Sequence, residues 1–149
     1  MNISTPVRNE IKRDILLDDR EIIKASQVVV LRLGEYLDKL KAIIKSNLSK
    51  PQDDEHQSKL HGLAWVATYV ESLKQMSIWA DRLLENGSFS KTERIILLLS
   101  FNEYLNQIFG GIIMSQGEII RPVDLDYKKM ALEKLDCKEV IFFRDEVDA

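Results

Sequence analysis

Four carboxylates crowd one stretch of this chain: Glu103, Glu118, Asp124 and Asp126 lie in or beside the run NQIFGGIIMSQGEIIRPVD at 106–124. Two carboxyl groups held in different environments can divide general acid and general base work between them. Gln107 lies three residues before Gly110, on the same helical face, and its amide offers two donors and an acceptor. Glycine inside an apolar helical run costs roughly 1 kcal/mol relative to alanine. The adjacent Gly110 and Gly111 therefore imply close approach to the backbone by another helix, a partner chain or a ligand. Gln107, Gly110 and Gly111 together predict a notch with a polar lip, and its spacing favours close packing or an interface over a ligand. For the carboxylates the plainer reading is favoured. Ser100, Glu103 and Gln107 fall about a turn apart, as the solvated edge of a helix would.

Other reactive side chains are sparse. Asp53-x-x-His56 is the nearest approach to the Glu-x-x-His pairs of a di-iron bundle. The second histidine, His61, would sit about 140° around a helix from His56, so the two do not share a metal unaided. Cys137 has no histidine near it in sequence and reads as an inert thiol. Trp65, Tyr69 and Trp79 recur at helical spacing and read as core rather than as a cofactor cage. Neither GxxxxGK[ST] nor a strand-borne GxGxxG is present. No catalytic and no metal-binding residue is assigned.

The elements that must hold these residues are helical. Apolar residues at Ile15, Ile22, Val29, Leu33, Tyr36, Leu40 and Ile43 step by threes, fours and sevens, which is a helix stripe. This first helix starts either at Thr5-Pro6 or at Asp18-Asp19. A turn over 46–54, around Pro51, leads to a second helix from about Asp53 to Glu85, stopped by Asn86-Gly87. It carries two apolar stripes, Leu63, Val66, Val70, Leu73, Ala80, Leu84 and Trp65, Tyr69, Met76, Trp79, Leu83, and so should be covered on two sides. A third helix opens at Ser90, with Glu93 at the capping-box spacing, and runs to the glycine pair. A short helix is expected over Asp124–Leu135. The closing KEVIFFRDEVDA reads as a strand, a helix end or an unpartnered tail. The fold class is all-α, an up-down bundle of three to four long helices. It forms a single domain over 1–149, with a core at about 15–135 and a tail at 136–149.

A chain of 149 residues has room for one real core. Its net charge of −3 gives no support for a nucleic-acid partner. With one cysteine there is no disulfide framework, which points to the cytoplasm. The opening MNISTPVRNE lacks a signal-peptide apolar region. The longest uncharged stretch, Tyr104–Gly117, is 14 residues and too short to span a membrane.

EYLNQIFGGIIMSQGEIIRPVDL resembles the C-terminal helical domain of flavin-dependent acyl-CoA dehydrogenases, where a Gln-x-x-Gly-Gly run ends a bundle helix before a polar turn. Gln107, Gly110 and Gly111 match that run in spacing. The longer stretch from His61 to Leu125, with HGLAWVATYVESL and GGIIMSQGEIIRP, is similar to something narrower: the N-terminal accessory region of (2S)-methylsuccinyl-CoA-dehydrogenase-type enzymes. The resemblance implies FAD contact from Gln107, Gly110 and Gly111 in a neighbouring subunit. The domains that would hold the isoalloxazine and thioester do not fit in 149 residues, and no Glu-Gly-Thr-like turn follows Gly111. Glu118 is therefore not assigned as the base.

Two functions are carried forward. The first is a non-catalytic accessory or assembly domain that packs on a dehydrogenase catalytic domain or forms a homo-oligomer, binding no cofactor by itself. It would use the face bearing Gln107, Gly110, Gly111 and Gln116, so Gly111→Leu should weaken association and leave the fold helical. The alternative is a ligand-binding module for FAD or a CoA-type nucleotide at the same notch. An independent enzyme is the least favoured.

Overall fold

In the computed structural model the described residues are 17–46, 54–113, 118–126 and 131–145. Helix α1 spans Asp19–Ser46. Asp18 is its cap: the Glu21 backbone N–H donates to Asp18 Oδ1 at 2.8 Å, and the Asp18 N–H to Glu21 Oε2 at 2.9 Å. That reciprocal pair satisfies two otherwise orphaned donors. It selects the Asp18-Asp19 start; Thr5-Pro6 lies outside the described residues. Val29, Leu33 and Leu40 of the α1 stripe are fully buried.

Helix α2 spans Asp54–Glu85. It ends at Asn86-Gly87, where the Ser88 N–H donates to Leu83 O at 2.8 Å and the Gly87 N–H to Leu84 O at 3.1 Å, closing a Schellman turn. Helix α3, Lys91–Gly110, carries the capping box between Ser90 and Glu93. Hydrogen bonds from Ser90 hold the Glu93 carboxyl below the usual carboxylate range. A two-residue antiparallel pair follows, β1 Ile112–Ile113 and β2 Ile119–Ile120, in the register Ile112↔Ile120 and Ile113↔Ile119.

The segment after Pro122 departs from the expected continuous helix. It is a single turn, α4 Pro122–Leu125, then a 3₁₀ turn Leu132–Leu135. Between them the buried Asp126 carboxylate accepts the Ala131 N–H at 2.6 Å, a side-chain-to-backbone bond that competes with helix. The last element, α5, spans Lys138–Asp145.

α1, α2 and α3 run up, down and up. Ser26 near the start of α1 meets Ser77 near the end of α2, their hydroxyls 2.8 Å apart in the core, while Ser26 Oγ donates to Ile23 O at 2.7 Å. Arg94 near the start of α3 returns to the start of α1, bonding Asp19 Oδ1 at 2.7 Å and Leu17 O at 3.0 Å. α2 packs on α1 and α3, as its two stripes require; the fourth side is closed by α5, which lies against α3 and α1. Residues 138–145 are therefore not a tail. Phe143 is fully buried with its ring 4.7 Å from that of Phe101, and Asn102 donates to the Phe143 and Arg144 carbonyls at 3.0 and 2.8 Å. Those carbonyls would otherwise be unsatisfied at the end of a short helix. Aromatic area, not strand pairing, decides the fate of KEVIFFRD.

Candidate functional site

The two glycines of the notch behave differently. Gly111 stands at φ 129°, ψ 128°, just past the end of α3, with its N–H donated to Gln107 O at 2.8 Å. A Cβ there would lie 2.7 Å from Ile119 Cγ2 and 3.3 Å from Arg121 Cγ. The neighbour that approaches this backbone is the chain's own β2. Gly111→Leu would thus strain the turn itself, so it is not the clean association probe that the sequence suggested. Around Gly110 a Cβ would meet open space, and nothing in the structure accounts for a glycine at that position.

A third glycine was not singled out in the sequence. A Cβ on Gly62 of α2 would lie 2.5 Å from Ile120 Cγ1, so Ile120 seats against bare helix backbone. Ile112 and Ile120, paired across the strands, are both buried, and this fastens the β1–β2 turn to the bundle. The signal was present: Gly62 interrupts the apolar helical run HGLAWV, where it costs about 1 kcal/mol relative to alanine.

Gln107 is already engaged within the chain. The Tyr69 hydroxyl donates to Gln107 Oε1 at 2.5 Å, and Gln107 Nε2 donates to Glu103 Oε1 at 2.6 Å. Tyr69 stacks on Tyr104 with centroids 4.6 Å apart and meets the edge of Trp65; Trp65 Nε1 donates to His61 Nε2 at 3.2 Å. Partial burial, then Tyr104 and the Glu103 charge, push the Tyr69 phenol above its ordinary pKa. These aromatics are half-buried along the α2–α3 seam rather than central in the core.

The four carboxylates do not converge. Glu103 serves Gln107, Asp124 accepts the Arg121 N–H at 2.7 Å, Asp126 holds the Ala131 N–H, and Glu118 is exposed. Among the described residues no three of His, Cys, Asp and Glu gather as a metal site. Gln116 and the side chain of His56 lie outside the described residues, and Cys137 is half-buried.

What sequence reasoning missed is the outer surface of α3. Apolar side chains fall on every side of this helix. A helix apolar all round is ordinarily buried all round, yet Ile95, Ile96 and Leu99 are 45%, 41% and 49% exposed. Beside them a groove of about 310 Å³ opens between α2 and α3, lined by Ser72, Met76, Leu99, Ser100, Glu103 and Tyr104, with Leu73 at its floor. That volume is at the lower end of the roughly 300–1,000 Å³ of small-molecule pockets. Among the described residues no helix is long and apolar enough to cross a membrane.

No protein-family model and no solved structure matches the chain. Over 72 residues, 48% of this chain, it is 53% identical to (2S)-methylsuccinyl-CoA dehydrogenase of Cereibacter sphaeroides. The match spans 13% of that enzyme's length, so the chain is related to a region of it.

Proposed function

We propose that the chain is a non-catalytic accessory domain of acyl-CoA dehydrogenase kinship, which docks its α2–α3 face on a protein partner: a dehydrogenase catalytic body or a second subunit. The observation that carries this reading is the outward apolar surface of α3, Ile95, Ile96 and Leu99, beside the α2–α3 groove. Three large aliphatics within two adjacent turns are what an interface core uses, and a polar rim is supplied by Glu103 and Ser100. The similarity to a small part of a dehydrogenase supports the kinship. A nucleotide role draws less support. Gln107 is already bonded to Tyr69 and Glu103, and the Glu103 carboxylate would repel a phosphate.

Sedimentation velocity of the chain alone, and mixed with the catalytic portion of a (2S)-methylsuccinyl-CoA dehydrogenase, tests the reading. An assembly larger than the monomer is expected in at least one of the two, and Leu99→Lys should abolish it. A chain that stays monomeric in both overturns it. FAD, coenzyme A and short acyl-CoAs should give no saturable rise in melting temperature; such a rise would move the assignment to a ligand module.

A further inference from the structure

We infer that the α2–α3 groove is the seat of an arginine side chain presented by the protein partner. This rests on the docking role proposed above and goes on to name the chemistry that fills the groove. Two polar groups of the lining can only accept. The Ser72 hydroxyl spends its proton on Thr68 O at 2.8 Å and keeps its lone pairs. The Glu103 carboxylate receives Gln107 Nε2 on Oε1 at 2.6 Å, and its Oε2 makes no hydrogen bond among the described residues.

No cation answers these acceptors among the described residues, whose ion pairs leave Glu103 out. Lys74, beside the groove in sequence, bonds Glu71 at 3.4 Å. It stands two residues beyond Ser72, about 160° around the helix, and so faces away. The carboxylate is also held in place. Tyr69 fixes the amide of Gln107, and that amide fixes one oxygen of Glu103. A group ordered before binding costs less to order on binding.

Arginine matches the lining part by part. Its guanidinium carries five donors and no acceptor, so it bonds the unengaged Glu103 oxygen and the Ser72 hydroxyl together. Its plane stacks on an aromatic ring, and Tyr104, backed on one face by Tyr69 at 4.6 Å, lines the groove. Its methylene stem lies along apolar surface, which Leu73, Met76 and Leu99 supply. A volume of about 310 Å³ gives room for one such side chain. Lysine, a compact and strongly hydrated charge, gains less from an aromatic wall.

The association to be perturbed is the one that sedimentation velocity finds, with the catalytic portion of a (2S)-methylsuccinyl-CoA dehydrogenase or with a second copy. Glu103→Gln should weaken it about tenfold or more, the worth of a hydrogen bond to a charged group. That variant keeps a carbonyl oxygen for Gln107 Nε2, so the internal bond stays and only the charge goes. Tyr104→Leu should weaken it at least about threefold, whereas Tyr104→Phe keeps the ring and should stay within about twofold of the parent. Alanine substitution of the partner's surface arginines should find one whose loss costs nothing further in the Glu103→Gln background. Lysine at that position should not restore full association. Melting temperature and far-UV circular dichroism on each variant separate a lost contact from a lost fold.

An association that Leu99→Lys abolishes but Glu103→Gln leaves intact overturns the arginine seat and keeps the docking role. A Glu103→Gln loss that adds fully to that of every arginine substitution overturns the seat as well. A chain that associates with neither partner overturns both readings.

Discussion

Alanine at position 110 and alanine at position 111 are the same chemical change on neighbouring residues, and they should shift stability in opposite directions. At Gly111 the backbone sits at φ 129°, ψ 128°, a region that costs a side-chain-bearing residue about 1–3 kcal/mol. The new methyl would also meet Ile119 Cγ2 at 2.7 Å. Ile119 is 45% exposed and can yield, so the overlap adds only about 1 kcal/mol, the low end for overpacking. The sum is roughly 2–4 kcal/mol, which at about 2–4 °C per kcal/mol for this size lowers the melting temperature by about 4–16 °C. Gly110 is the last residue of α3, with helical backbone and nothing within 4 Å of a Cβ. Alanine there should stabilise by about 0.5 kcal/mol through lost unfolded-state freedom. Guanidinium unfolding of dilute protein, followed by far-UV circular dichroism, gives both values from the midpoint at unchanged m. Equal losses at the two positions, or a silent Gly111→Ala, would refute the assignment of the close approach to β2.

Two further outcomes follow from the core. Burial first, and the Asp126 carboxylate second, hold the Tyr36 phenol well above its ordinary pKa of 10.0. Its native pKa exceeds its unfolded one, so the fold has its full stability below about pH 10 and loses it as pH rises further, when the unfolded chain ionises first. Urea midpoints at about pH 9 and pH 11 should converge in Tyr36→Phe relative to the parent; parallel slopes would contradict this. Phe143→Ala should cost about 3–5 kcal/mol, the usual loss for a large buried aromatic. A variant as stable as the parent in urea would mean that α5 is dispensable.

Helix ends were legible because their signals are local. Ser90 with Glu93, and Asn86-Gly87, carry their hydrogen bonds within five residues of chain. The apolar stripes of α1 and α2 were legible for the same reason: their period belongs to one element. What could not be read depends on distant partners. KEVIFFRD turns helical against Phe101 and Asn102, about 40 residues away in sequence. The break in 122–135 rests on one carboxylate that finds a backbone donor instead of solvent. The glycine pair announced a close approach but not its source, because the two-residue pairing of Ile112–Ile113 with Ile119–Ile120 has no periodicity to display. Ile95, Ile96 and Leu99 fall inside the third helix read from Ser90 to the glycine pair; only the placement of the neighbours shows which side is left uncovered.

The facing hydroxyls of Ser26 and Ser77 do little for affinity between α1 and α2, since a buried hydrogen bond nets about 1 kcal/mol. Their consequence is selectivity. Sliding one rod past the other by a single turn, about 5.4 Å, would leave the Ser77 hydroxyl against aliphatic carbon at a penalty of about 1–3 kcal/mol, while Ser26 keeps its bond to Ile23 O. A greasy seam that would otherwise tolerate several alignments thereby acquires one, and the vertical position of α3's outer surface is inherited from that peg.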